Sequence, residues 1–160
     1  MFSQKLNASL AVVIAMGTAS VGWADVCPPD QVLAEPQALD QIAAKALERE
    51  VLANVRLEGW RDMGGFILRM RRLTLEPGGF IPTHKHDDRP AIVYVVSGEV
   101  TEHNSFCAVP ILHQAGDVDE EFGPGFAHWW ENTGTEPVVF ISTDVLPYDS
   151  DAAPYVGFEK

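Results

Sequence analysis

The chain has 160 residues, 46% of them hydrophobic and 21% charged, a globular composition that excludes wholesale disorder and suffices for one domain with its own core. Its formal charge of −12 excludes nucleic acid and anionic membrane as general partners, since an acidic surface repels both.

Residues 1–24 read as a secretory signal. Lys5 gives a positive start, Leu10 to Met16 an apolar centre, and Gly22-Trp23-Ala24 small residues at the cleavage positions. This predicts a periplasmic or secreted protein with no stable membrane insertion after signal removal. The other reading is a retained N-terminal anchor, against which the apolar run is short and diluted by Ser, Thr and Gly. Cys27 and Cys107 are the only cysteines. In an oxidising compartment an even pair suggests a disulfide pinning the N-terminal arm to the body. Two independent thiols, or Cys107 as a metal ligand, are the alternatives.

Residues 25–60 read as an arm with one short helix. Val26 to Pro36 is polar and proline-rich, and Gln37 to Val51 places Leu39, Ile42, Ala43, Ala46 and Leu47 at helical spacing. Residues 61–148 then alternate as strands do. Phe66, Leu68 and Met70 share one face and Leu73 with Leu75 the other, which predicts a bulge near Arg71-Arg72, and Pro77-Gly78-Gly79 predicts a strand break. Further strands follow at Ala91–Val96, Glu99–Asn104, Val109–Gln114, Val118–Phe122, His128–Asn132 and Pro137–Val145, separated by turn signals. The acidic strand Val118–Phe122 reads as a solvated edge protected by charge. The whole predicts an all-β sandwich or barrel, with residues 149–160 as a tail.

The chemistry concentrates between Gly78 and Gly98. His84 and His86 are two residues apart, so in an extended segment they share one face with backbones about 6.6 Å apart. A third imidazole, His128, lies downstream in another strand. Together they can converge on one ion with metal–nitrogen bonds of about 2.0–2.1 Å. His103 and His113 read as surface or turn residues.

Gly78, His84-Lys85-His86 and Gly98 resemble the first motif of the cupin superfamily, and Gly125, His128 and Asn132, preceded by Gly116-Asp117, resemble the second. The chain departs from the first motif at the position seven residues before Gly98, where the family carries glutamate and this sequence has Ala91. The resemblance covers residues 64–146 and implies a single cupin jelly-roll barrel around a divalent metal held by His84, His86 and His128. Three neutral imidazoles without a carboxylate favour zinc, copper, nickel or iron(II) over hard, oxygen-preferring cations. Asp87 or Asp88 could replace the lost glutamate by swinging inward, but both read more readily as turn formers.

Arg69, Arg71, Arg72 and Arg89 form the one concentration of positive charge. If one points inward, its planar fork suits a substrate carboxylate; otherwise these arginines pair with surface acids. Trp130, on the ligand side by strand phase, reads as core filler or pocket wall. Arg69, Arg71, Trp130 and Ala91 are therefore the candidate substrate pocket. The predicted function is an exported metalloenzyme acting on a small molecule by oxygen-dependent oxidation or a metal-polarised lyase or isomerase step. The alternatives are a non-enzymatic metal- or ligand-binding protein and a vestigial site on a structural barrel. Tyr94, on the outer face, is a candidate for a homodimer contact.

Overall fold

The structure, a computed structural model, describes residues 26–148. The predicted signal at 1–24 and tail at 149–160 lie outside the described residues. Eight strands follow one another: β1 (Lys45–Arg56), β2 (Phe66–Lys85), β3 (Ala91–Ser97), β4 (Glu99–Asn104), β5 (Ile111–Gln114), β6 (Val118–Glu121), β7 (Ala127–Glu131) and β8 (Val138–Pro147). They form one antiparallel sheet in the order β5-β4-β7-β2-β8-β3-β6, with β1 added to β2.

Two expectations about the architecture are corrected. The described residues contain no helix: Gln37 to Ala44 runs without regular structure, and the predicted helix's second half is the start of β1. The apolar spacing of Leu39 to Leu47 was not decisive because β2 offers a long free edge. Pairing from Lys45↔Phe80 through Arg56↔Ile67 satisfies the backbone there. Nor is there a closed jelly-roll barrel. The hydrogen-bonded path starts at β5 and stops at β6 without joining them, so the sheet curls and stays open.

The details of β2 also differ from expectation. Its pairing with β8 keeps one register from Phe66↔Pro147 to Leu75↔Val138, so no bulge falls at Arg71-Arg72. Ile67, Arg69, Leu73 and Leu75 are buried on one continuous inner face, with Arg71 half-buried among them. The irregularities on this side sit in β1 instead, between Lys45 and Leu47 and, opposite Arg71 and Met70, between Val51 and Ala53. Apolar residues had defined the predicted faces, and two inward arginines broke that pattern. Pro77-Gly78-Gly79 bends β2 without ending it, and the Gly78 amide donates to Asn132 O at 2.8 Å.

The core lies on the concave side, where Leu73, Leu75, Val93, Val95, Val100, Trp130, Val138 and Phe140 pack together. Strict alternation along β3 puts Ala91, Val93 and Val95 inside and Ile92, Tyr94 and Val96 outside. Two motif glycines have physical reasons. Gly98 has φ +83°, and a Cβ there would sit 3.0 Å from Pro137 O; Gly125 has φ +81°, and its Cβ would meet the Pro36 ring at 2.9 Å. Cys27 and Cys107 form a disulfide. It fastens an arm that also bonds to the body through Leu33 N to Phe106 O, Gln37 N to Ser105 O and Thr83 N to Ile42 O.

Candidate metal centre

The site is built where β2 and β7 meet. His84 on β2 is paired directly with His128 on β7, so both rings leave the sheet on the same face. His86 lies just beyond β2, and the turn that holds it is tied to the segment before β7 by His86 N to Phe126 O at 2.9 Å and Gly123 N to His86 O at 3.1 Å. The three ring centroids lie 4.5–5.0 Å apart. Glu121, the last residue of β6, completes a cluster with them whose ligand atoms all lie within 4.8 Å of one another.

The outer nitrogens explain why this set faces inward as it does. His84 Nδ1 lies 2.8 Å from Pro82 O, His86 Nδ1 2.8 Å from Arg89 O, and His128 Nδ1 2.7 Å from Glu102 Oε1. The Pro82 and Arg89 carbonyls only accept, so Nδ1 of His84 and of His86 carries the hydrogen and Nε2 of each presents its lone pair to the centre. His128 Nδ1 sits between an acceptor, Glu102 Oε1, and a donor, the Trp130 indole N–H at 3.0 Å, and its Nε2 faces the same centre. There His84 Nε2 and His128 Nε2 are 3.2 Å apart, His86 Nε2 is 3.2 Å from Glu121 Oε2, and His128 Nε2 is 3.4 Å from Glu121 Oε1. Ligands with bonds of about 2.1 Å to one ion stand roughly 3.0–3.4 Å apart at octahedral to tetrahedral angles. The donor set thus fits a divalent ion in both spacing and chemistry.

The electrostatics agree. Burial, then the neighbouring His128, pushes His84 down to about 2, and the same two causes bring His86 to about 3, so both are neutral imidazoles. Burial opposes charge on His128 too, but Glu121 and Glu102 outweigh it and hold His128 up at about 9. The acids around this ring therefore favour a positive charge there, which a proton on His128 or a metal ion supplies. Burial raises the Glu121 carboxyl, and the facing His128 offsets part of that.

Beneath His128 lies a buried network that the sequence reading did not include. Glu102 takes His128 on one oxygen and His113 Nε2 on the other at 3.1 Å, and Asn104 Nδ2 donates to it at 3.0 Å. Burial would raise Glu102, yet the bonds from His113 and His128 bring it to about 2. His113, expected at the surface or in a turn, is fully buried and stacked on Trp130. Its alternation with Ile111 on β5 was the available signal. His103 is half-buried on the other face, stacked on Trp129 and bonded to Glu131.

A cavity of about 390 Å³ opens beside the cluster, lined by His84, His86 and Glu121, by Arg49, Arg71 and Arg89, and by Leu73, Ile81, Val93 and Trp130 among others. Trp130 and Arg71 of the predicted pocket thus line it. Arg69 does not: it is buried in a bidentate pair with Asp144, at 3.0 and 2.6 Å. Ala91 is buried and lies outside the lining. Arg72 pairs with Glu50 at the surface. Arg71 reaches Ser142 and Asp144 with one nitrogen, while its Nε, like that of Arg89, is buried without a partner among the described residues. Asp87 is exposed and accepts the Gly125 amide at 2.7 Å, so it shapes the turn and stays out of the cluster. Asn132 likewise braces a turn, donating to Leu75 O and Glu136 O.

Residues 71–144 match the family model described as the Cupin domain. A 75-residue stretch is 36% identical to the "Oxalate-binding protein" of Thermotoga maritima, covering 47% of this chain and 60% of that relative. The chain thus matches about three-fifths of its curated relative's length. The crystal structure of a predicted oxalate decarboxylase from Thermotoga maritima superposes with a TM-score of 0.52 at 25% identity, over 76% of this chain and 98% of that one. A cupin-2 domain structure from Rhodospirillum rubrum gives a TM-score of 0.53 at 15% identity, over 72% and 70% of the two chains.

Proposed function

This chain belongs to the cupin superfamily, and on that premise we propose that it holds one divalent transition metal at His84, His86 and His128 and takes a small carboxylate in the adjoining cavity. The observation that carries the reading is a set of ligand atoms facing one another. Three imidazole Nε2 atoms and a carboxylate converge on one buried point, with the Nδ1 hydrogens of His84 and His86 committed to backbone carbonyls. A divalent cation at that point satisfies all four groups at once, whereas the single proton that the acids hold on His128 satisfies fewer.

A carboxylate ligand is supported by the wall beside the cluster. Arg49, Arg71 and Arg89 bring three guanidinium groups to one cavity in an acidic chain, and the Nε–H groups of Arg71 and Arg89 are buried with no acceptor among the described residues. Buried donors of this kind cost free energy unless a ligand accepts from them. A planar carboxylate matches their geometry. Leu73, Ile81, Val93 and Trp130 exclude water from the same space and strengthen those contacts. The similarity to an oxalate-binding protein and to a predicted oxalate decarboxylase of Thermotoga maritima favours the same class. A bound divalent ion supplies Lewis acidity toward a carboxylate oxygen.

The activity proposed is an oxidation, or a lyase or isomerase step, on that carboxylate. Retention without conversion is the second reading, favoured by the similarity to the oxalate-binding protein of Thermotoga maritima. Export to the periplasm or exterior fits the disulfide, which persists in an oxidising compartment. Calorimetry with oxalate and a panel of small carboxylates, on protein with and without metal, tests the proposal. Binding that requires metal is expected, and the absence of carboxylate binding by the loaded protein would refute it. Product formation or oxygen uptake separates conversion from retention.

A further inference from the structure

Glu121 was read from sequence as part of a solvated acidic edge, and the structure buries it. We propose that Glu121 is a fourth ligand to the metal, delivered from the edge strand β6, and that it decides which ions the site accepts. The inference rests on the three-histidine metal reading above.

Three observations carry it. Glu121 lies in the interior with only 4% of its surface exposed, and its close polar partners among the described residues are the Nε2 atoms of His86 and His128. His86 Nδ1 lies 2.8 Å from Arg89 O, which only accepts, and His86 Nε2 faces Glu121 Oε2 at 3.2 Å. A hydrogen or a metal ion must lie between two acceptors at that distance, and of the two only a metal ion also engages the His84 and His128 nitrogens that face the same point. Next, the two carboxylate oxygens are split, one toward His86 and one toward His128, so the group straddles the centre that the rings surround.

The last observation is one of register. Glu121 on β6 is the direct cross-strand partner of Ala91 on β3. Residues directly opposed in an antiparallel pair project to the same face with Cβ atoms about 4.5–5.5 Å apart. A carboxylate on either strand therefore reaches the same point. Position 91, where the cupin-like motif would carry glutamate, holds a buried alanine, and the acid stands on the neighbouring strand instead. The carboxylate has been transposed by one strand.

The consequence is for metal choice. Three imidazoles alone suit zinc, copper, nickel and iron(II), and an anionic oxygen ligand extends the range toward manganese(II). That reverses the exclusion of harder cations that a three-histidine site implies.

The experiment is a calorimetric titration of metal-stripped full chain with Mn(II) and, separately, Zn(II). It compares the wild type, Glu121→Gln, and the double variant Ala91→Glu with Glu121→Ala. The expected result is that Glu121→Gln weakens Mn(II) binding about tenfold or more beyond any loss of Zn(II), and that the double variant recovers Mn(II). An unchanged Mn(II)-to-Zn(II) ratio in Glu121→Gln overturns the proposal, as does a folded, Zn(II)-binding double variant without Mn(II) affinity. If the double variant does not fold, the ratio in Glu121→Gln decides alone. A wild type that binds neither ion refutes the metal reading itself, a failure distinct from one confined to Glu121.

Discussion

Arg69 and Arg71 stand two residues apart on the same inner face of β2, yet they belong to different regions. Arg69 is saturated by Asp144 on the paired strand β8, with both side chains sealed from solvent. Arg71, which lines the cavity beside the metal cluster, shares that acid only at 3.3 Å and keeps its Nε without a partner among the described residues. Burial also depresses Arg71, to about 10, with Asp144 offsetting part of the effect. A buried charge whose donors are all used is architecture. One that keeps a spare donor facing open space is positioned to receive something.

The sharpest way to break this contrast is Arg69→Met. Removing one partner of a buried pair leaves Asp144 uncompensated, at a cost of about 3–5 kcal/mol. Arg71 at 3.3 Å offsets part of it, so the lower end is expected in urea unfolding. A loss below about 1 kcal/mol would mean that the pair is not structural. Reducing Cys27–Cys107 comes next. It should destabilise the protein by about 2–4 kcal/mol and lower its melting temperature, because the cross-link spans a separation of 80 residues. An unchanged melting temperature would show that the arm's hydrogen bonds suffice.

Arg71→Met should move the other way from Arg69→Met. Carboxylate affinity should fall by about 1.5–3 kcal/mol, the worth of a hydrogen bond to a charged group, while the melting temperature changes little. Equal loss of stability in both variants would erase the distinction between the two arginines. The smallest effect is expected for His103→Ala. His103 stacks on Trp129 and pairs with Glu131 on the far face, both partly exposed, so the change should leave metal stoichiometry untouched. Loss of metal there would mean that the inner and outer histidines had been assigned to the wrong faces.

How far these features could be read in advance differs residue by residue. The strands from Ala91 to Val145 were legible because apolar alternation and glycine turns recur along them. His84, His86 and His128 were legible through spacing and motif. The β1 strand was not, since its residues are mostly exposed and its apolar positions satisfy a helical period equally well. Openness of the sheet was not legible either, because closure depends on whether β5 and β6 meet, and neither strand's own residues say so. Glu121 and Glu102 escaped notice for a related reason. An acid in a strand reads as solvent-facing, and only register reveals that these two are aimed at imidazoles. Arg69 and Arg71 misled the reading of β2 because charge at two inward positions interrupts the apolar pattern that marks a buried face.

The account stands on a metal at the meeting point of three imidazoles. Elemental analysis of purified protein measures that directly, beside a His84→Ala or His128→Ala variant prepared in the same way. The account predicts close to one divalent transition-metal ion per wild-type chain and none in either variant, with both variants still folded. A wild type without bound metal, or a variant that keeps its full complement, would contradict it.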